Sequence, residues 1–385
     1  MAPYDFDNAP SRIGSGSCKW DEYPGCIPLW VADMDFKAAP CIIDALRSRV
    51  DHGVFGYTHV RDGFYQALTG WFAREHGYEF TRADVINVPG VVPALSAVIK
   101  ALVPEGKGVI VMTPVYNCFF SSIRNNGCSV VECPLIPEPC SEGEFTYRID
   151  FTLLERLAAD PTNSMLLLCN PHNPGGRVWT PAELARVRDI CRAANVRVLS
   201  DEIHCELVMP GYTYTPYGTI DPDAVVCVAP TKAFNIAGLQ IADIVCRDHT
   251  LLARIDRAVN INEVCDVNPF GVEALIAAYT PEGKAWLEAL RSYLAANWQY
   301  TRDMLHRHLP QCPVACLEAT YLPWIDVSPL GVTGSKLADT LGRECHVRIN
   351  GGAMYGDDRY VRLNIACPRA LLAEALRRIL SFLSS

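Results

Sequence analysis

Three apolar runs in the sequence each end in side chains that can do chemistry. MLLLC is followed by Asn170-Pro171-His172-Asn173-Pro174-Gly175-Gly176, VRVLS by Asp201-Glu202-Ile203-His204, and AVVCVAP by Thr231-Lys232. Taken singly, each has an ordinary reading: an Asn-Pro-Gly stretch is usually a turn, an acidic pair a solvated strand end, a lysine a surface cation. Taken together, an amide, a carboxylate and a lysine are the set required by an aldehyde carried on a pyridine ring. The lysine amine can form a Schiff base with the aldehyde. The carboxylate can keep the ring nitrogen protonated so that the ring withdraws electrons, and the amide can meet the ring hydroxyl. Pyridoxal 5'-phosphate is a cofactor with these groups, and Lys232 is then the candidate Schiff-base residue.

For these groups to meet, the runs that carry them must be strands of one sheet, because ligands of open α/β sheets sit beyond the carboxyl ends of the strands. Six runs read as strands: GVIVMTP (108–114), CSVVECPL (128–135), MLLLCNP (165–171), VRVLSDE (196–202), AVVCVAP (224–230) and IADIVC (241–246). They are apolar on both faces, as strands covered by helices must be. Between them, 93–103, 151–160 and 180–195 read as helices, the last with Thr180 as N-cap, Pro181 at the first helical position and Glu183 three residues after the cap. The alternation predicts a mostly parallel α/β sheet. The stretch from Thr280 to Leu309 has Trp286, Leu287, Leu290, Tyr293 and Leu294 at helical spacing and is long enough to bridge to a second domain. Beyond it, 319–327 and 359–367 read as strands, and LLAEALRRILSFL closes the chain as an amphipathic helix. Residues 1–49 do not fit the alternation and are placed with the C-terminal part.

Composition narrows the partners. Half of the 385 residues are hydrophobic, enough for one large or two ordinary domains. A net charge of -9, a pI near 5.5 and the lack of any Lys/Arg run argue against nucleic acid or an anionic membrane as partner. A small molecule is the expected one. MAPYDFDNAP has neither the basic nor the apolar part of a signal peptide, and no apolar run reaches the roughly 18 residues that span a bilayer, so a cytoplasmic location is expected. The seventeen cysteines are scattered among apolar segments and read as small buried hydrophobes. Cys312 and Cys316, in CPVAC, lack both CxxC spacing and a second pair in range, so no zinc site, and no metal, is expected.

The order NPHNPGG, SDEIH, TKAFNIAG resembles that of the fold-type I pyridoxal phosphate enzymes, the aspartate aminotransferase superfamily. A longer series is similar to the branch that contains the MalY/PatB-type cystathionine β-lyases, or carbon–sulfur lyases. It comprises IPLWVADMDF, FGYTHVRDGFYQAL, NVPGVVPALSAV, TPVYNCF, NPHNPGG, SDEIHCEL, TKAFNIAGLQ and VRLNIACP, and it covers nearly the whole chain. The resemblance implies a mostly parallel seven-stranded sheet in a large cofactor-binding domain (50–285) and a smaller α/β domain (1–49 and 286–385). It implies that Gly90, Val91 and Val92, at a helix start, hold the phosphate, and that Tyr116 stacks on the ring. Asn173 would lie beside the ring hydroxyl, Asp201 would face the ring nitrogen and Lys232 would be the catalytic lysine, with Thr231 next to it. His204 takes a position where aminotransferases often have a tyrosine; a satisfied buried histidine is the even alternative. Tyr57 would reach the phosphate of a neighbouring subunit, which requires a homodimer, and Arg362 would receive the substrate α-carboxylate. Ala229 and Gln240 depart from the wider superfamily, which commonly has a phosphate-binding serine and an arginine there. The implied reaction is α,β-elimination of cystathionine or another cysteine S-conjugate to pyruvate, ammonia and a thiol. The alternatives are an aminotransferase, or a regulatory protein on the same scaffold.

Overall fold

The computed structural model describes residues 4–261, 263 and 266–384. Seven short strands pair into one sheet: β1 (Val85–Val88), β2 (Gly108–Val111), β3 (Ser129–Glu132), β4 (Asn163–Cys169), β5 (Arg197–Asp201), β6 (Val225–Val228) and β7 (Ala242–Val245). Their order is β1-β7-β6-β5-β4-β2-β3. Only β7 is antiparallel to its neighbours; every other pairing is parallel. Side chains alternate across a strand, so the continuous apolar runs feed two cores at once. Val109, Val111, Leu167, Leu199 and Cys227 fill one side, while Ile110, Leu166, Leu168 and Val198 fill the other. Ten of the described cysteines, Cys169 and Cys227 among them, are buried, as their apolar neighbours predict.

The six strands read from sequence all form; five are trimmed to a shorter paired centre, and the one expected at 165–171 is shifted to Asn163–Cys169. β1 was not among them. It is a partly buried edge strand held by β7 alone, and Asn87 interrupts its sequence VINV, so no continuous apolar run advertises it. A hairpin of Ile136–Ser141 and Glu144–Arg148 also escapes the sequence pattern, because Pro137 and Pro139 read as turn residues and most of its first strand is exposed. This hairpin extends a second sheet, whose order is Asn350–Gly351, Tyr360–Arg362, Trp324–Asp326, Val314–Ala315, Glu144–Arg148, Ile136–Ser141. The strands expected at 319–327 and 359–367 are real only at Trp324–Asp326 and Tyr360–Arg362. The flanking residues join no ladder, Thr320 has a left-handed φ of 72°, and their hydrogen bonds go elsewhere: Leu363 N donates to Pro323 O, Asn364 N to Leu29 O and Ile365 N to Tyr321 O.

The helix Pro281–His308 begins at Thr280, whose hydroxyl accepts from Gly283 N, and it buries Trp286, Leu287, Leu290 and Leu294 along one stripe. Ile27–Pro28 pairs in parallel with Val347–Arg348, which ties the N-terminal segment to the C-terminal part. Among the described residues, no helix is long and apolar enough to cross a membrane.

The helix Pro181–Ala193 carries the capping box that its sequence predicts. Thr180 Oγ1 accepts from Glu183 N, and the Glu183 carboxylate accepts from Thr180 N at 2.8 Å. Replacing Thr180 by Ala should lower stability by about 1 kcal/mol, read as a lower urea midpoint; an unchanged midpoint would remove this cap from the forces that fix the helix start.

Candidate active site

A cavity of about 550 Å³ lies beyond the carboxyl ends of β4, β5 and β6. Its floor is set by backbone geometry. After β4 the chain turns through Asn170, whose Nδ2 donates to Glu202 Oε1 (3.1 Å) and Thr215 O (3.0 Å), and this turn delivers Asn173 to the cavity. The adjacent acids at the end of β5 point opposite ways, as successive strand residues must. Glu202 turns into the core, where Ser200 Oγ (2.7 Å), Tyr217 N (2.9 Å) and the Tyr214 hydroxyl all donate to it. Asp201 turns into the cavity, where its Oδ1 accepts from Ile203 N at 3.1 Å. Burial raises the Asp201 carboxyl from 3.8 to about 7, with Glu202 adding to the rise; the Ile203 N–H and Lys232 oppose it. A cationic N–H placed against Asp201 would reverse that penalty.

The loop after β6 presents Thr231 and Lys232. Lys232 Nζ donates to Ala32 O at 2.6 Å. Burial, and then the Arg362 charge, lower its pKa from 10.5 to about 8, against the opposing pull of Asp33 and Asp201. Arg362 itself is 4% exposed. Its Nη1 donates to Asn173 Oδ1 (3.1 Å) and its Nη2 to Trp30 O (3.2 Å), and its guanidinium lies over the Tyr355 ring, 4.6 Å from the centroid. Its Nε has no partner, and among the described residues no carboxylate pairs with it. A buried guanidinium with no carboxylate partner has the charge and fork geometry to pair with one.

His204 is buried beside Tyr321 (ring centroids 6.4 Å) and its Nδ1 is unpartnered. Burial, Lys232 and Arg362 together hold its pKa at about 3, so it stands neutral. The neutral ring is shared with any buried histidine; the unpartnered Nδ1 is the feature that differs from a satisfied one. Tyr116 caps the helix Asn117–Asn125 and lines the cavity. Gly90 precedes the helix Val91–Leu102 and offers no side-chain cap, so the first-turn N–H groups of Val91 and Val92, which also line the cavity, remain available to an anion.

One predicted site residue lies outside this group. Tyr57 is fully exposed and does not line the cavity of its own chain. Of the two departures, Gln240 lines the cavity and Ala229 is buried under it. Sequence reasoning did not find the carbonyls of Trp30 and Ala32, nor Asn350 and Tyr355, all in the cavity wall. The motif WVADMDF was visible, but a backbone acceptor leaves no side-chain signature. Strand pairing also brings Cys140 Sγ to 2.6 Å from Cys316 Sγ, with Glu144 beside them, a grouping that the linear spacing of Cys316 could not reveal.

These donors fit pyridoxal phosphate: an uncapped helix start for the phosphate, a buried carboxylate lacking a cation for the ring nitrogen, and a low-pKa amine for the aldehyde. Residues 24–379 match the aminotransferase class I and II family, and the chain belongs to that family. Its architecture is that of the fold-type I pyridoxal phosphate-dependent enzymes. Cystathionine beta-lyase PatB of Bacillus subtilis is 36% identical over 392 residues, covering 99% of this chain and 100% of its own. The pyridoxal phosphate-bound putative aminotransferase of Clostridium difficile 630 superposes with a TM-score of 0.93 at 35% identity, covering 99% and 100%. The pyridoxal phosphate-bound C-S lyase of Staphylococcus hominis gives 0.91 at 31% identity, covering 99% and 98%.

The raised Asp201 carboxyl has a consequence for the cofactor-free protein. Between about pH 4 and pH 7 the unfolded chain has released this proton while the folded chain keeps it, so the group's contribution to stability falls as pH rises and levels off above its folded pKa. Asp201→Asn should therefore gain urea resistance over the parent by a margin that grows from pH 4 to 7, reaching a few kcal/mol at most. A margin independent of pH would contradict the buried, unpaired state of Asp201.

Proposed function

We propose that the chain is a pyridoxal phosphate-dependent carbon–sulfur lyase that cleaves cystathionine or a related cysteine S-conjugate by α,β-elimination, releasing pyruvate, ammonia and a thiol. The observation that carries the reading is the convergence of Arg362, buried without an anion, with the Lys232 amine and Asp201 around one cavity. The lyase names of the B. subtilis and S. hominis relatives support elimination over transamination.

In this reading the forked Arg362 guanidinium takes the substrate α-carboxylate, and Asn173 holds the guanidinium in place. Lys232, with its pKa near 8, is substantially deprotonated at weakly basic pH and removes the α-proton. Asp201 holds a proton on the ring nitrogen, and Tyr116 packs against the ring face. The Val91 and Val92 N–H groups and Thr231 hold the phosphate. When bound, pyridoxal phosphate supplies the electron sink for negative charge at the α-carbon. The thiolate then departs from the β-carbon, and the released aminoacrylate hydrolyses to pyruvate and ammonia.

We further propose a homodimer in which Tyr57 of one copy reaches the phosphate site of the other. Tyr57 projects fully into solvent beside Val54 and Phe55, which are 61% and 54% exposed. Ten buried cysteines in a small apolar role support a reducing, cytoplasmic setting.

Incubated with cystathionine and no keto acid, the enzyme should release pyruvate, ammonia and thiol in equal amounts over many turnovers. A burst of about one turnover followed by dependence on added keto acid would instead make it an aminotransferase. Sedimentation at assay concentration should show a dimer, and Tyr57→Phe should weaken pyridoxal phosphate binding by roughly tenfold, the loss of one hydrogen bond to a charged group. A fully active monomer would exclude the shared site.

A further inference from the structure

The residues from Trp30 to Met34 form a strap across the cavity, and the strap works through its carbonyls. Trp30 O accepts from Arg362 Nη2 (3.2 Å) and Asn350 Nδ2 (2.8 Å). Ala32 O accepts from Lys232 Nζ (2.6 Å) and from the Tyr321 hydroxyl (3.0 Å). Val31 O and Asp33 O both accept from Asn364 Nδ2, at 2.5 and 2.6 Å. The position of the strap therefore sets where both cavity cations sit.

Something must fix the strap, and the chain does so with charges that are buried or half-buried. Lys19 is wholly buried; its Nζ donates to Asp35 Oδ2 (2.9 Å) and Asp33 O (3.3 Å) and lies 3.7 Å from Asp33 Oδ1. Arg12 grips Asp33 with two bonds of 3.0 and 2.7 Å and also donates to Asp35 Oδ1 (3.1 Å) and Met34 O (3.0 Å). Trp20 Nε1 adds a third donor to Asp35 at 2.8 Å. Two cations thus balance two carboxylates. Lys19 and Asp35 are buried while Arg12 and Asp33 are half-buried; burying such a pair is costly unless geometry and hydrogen bonds are nearly complete, and apolar packing would hold a strap as firmly. What a charged box adds is a fixed register and a local field.

We infer that Arg12 and Lys19 are positioning residues for the active site: through Asp33 and Asp35 they hold the strap whose carbonyls place Lys232 and Arg362, and they balance the Asp33 charge that acts on the Lys232 amine. The inference rests on the proposed use of Lys232. The groups that act on that amine come from every side: Arg362 from the C-terminal strand, Asp33 from the strap, Asp201 from the end of β5 and Cys118 from the helix after Tyr116, with His204 close behind. Asp33 draws the Lys232 pKa upward. Removing a cation from the box leaves more of the Asp33 charge unbalanced, so the proton on the Lys232 nitrogen is held to higher pH.

The test compares the parent, Lys19→Met, Lys19→Arg and Arg12→Gln as full-length holoenzymes with bound pyridoxal phosphate. The readouts are the pH midpoint of the visible absorbance band, kcat and KM, and, on the cofactor-free form, the pH midpoint of Lys232 acetylation by acetic anhydride followed by peptide mass. Lys19→Met and Arg12→Gln should move both midpoints upward and cut kcat on the order of 10–100-fold, and Lys19→Arg should recover part of each. Arg12 is partly exposed, so Arg12→Gln decides the matter if Lys19→Met does not fold. Folded variants with unchanged midpoints and kcat would overturn the inference. A parent with no visible band would instead strike at the proposed function, and the acetylation midpoints would still decide whether the box acts on Lys232.

Discussion

The site depends on one contact, the 2.6 Å hydrogen bond from Lys232 Nζ to the carbonyl of Ala32. An amine taken out of water is costly to keep charged and needs acceptors in its place. Here it has one backbone oxygen, two carboxylates acting from a distance and a guanidinium working against it, and the outcome is a pKa near 8 rather than 10.5. That contact joins parts built separately. The lysine comes from the loop after β6, the carbonyl from an N-terminal strap, and the strap is in turn held by Asn364 of the C-terminal segment.

The same economy governs the rest of the cavity. Asp201 and Glu202 are neighbours with opposite fates, because a strand sends successive side chains to opposite faces. Glu202 is saturated with donors and acts as a structural anchor for the Asn170 turn. Asp201, Arg362 and His204 are left short of partners. Buried polar groups are normally satisfied, so three incomplete ones around one cavity mark where a polar ligand completes the structure. The helix start after Gly90, which we propose holds the phosphate, follows the same logic: it is uncapped and offers backbone N–H groups, while Ala229 and Gln240 carry no charge of their own.

Much of this was legible in the sequence. The large sheet could be read because strands covered on both faces must be continuously apolar, and the three chemical groups could be read because each ends such a run. What stayed hidden has physical causes. The strand Val85–Val88 is a half-buried edge, and the 136–148 hairpin carries two prolines and a solvent face, so neither shows the pattern of a buried strand. The carbonyls of Trp30 and Ala32 act through the backbone, which every residue possesses, so no residue type betrays them. No motif singles out Lys19; only the fold shows that it is wholly buried against Asp35. Cys140 and Cys316 are brought together by the two strand pairings that flank Glu144–Arg148, a relation that linear spacing does not encode.

Everything proposed for this cavity requires that Lys232 be the residue that the cofactor engages. Reduction of the pyridoxal phosphate-loaded protein with borohydride, followed by peptide mapping, measures this directly. The pyridoxyl label should appear on the peptide that contains Lys232 and be absent from a Lys232→Ala protein. A label carried by any other lysine, with Lys232 unmodified, would contradict the site described above and the chemistry built on it.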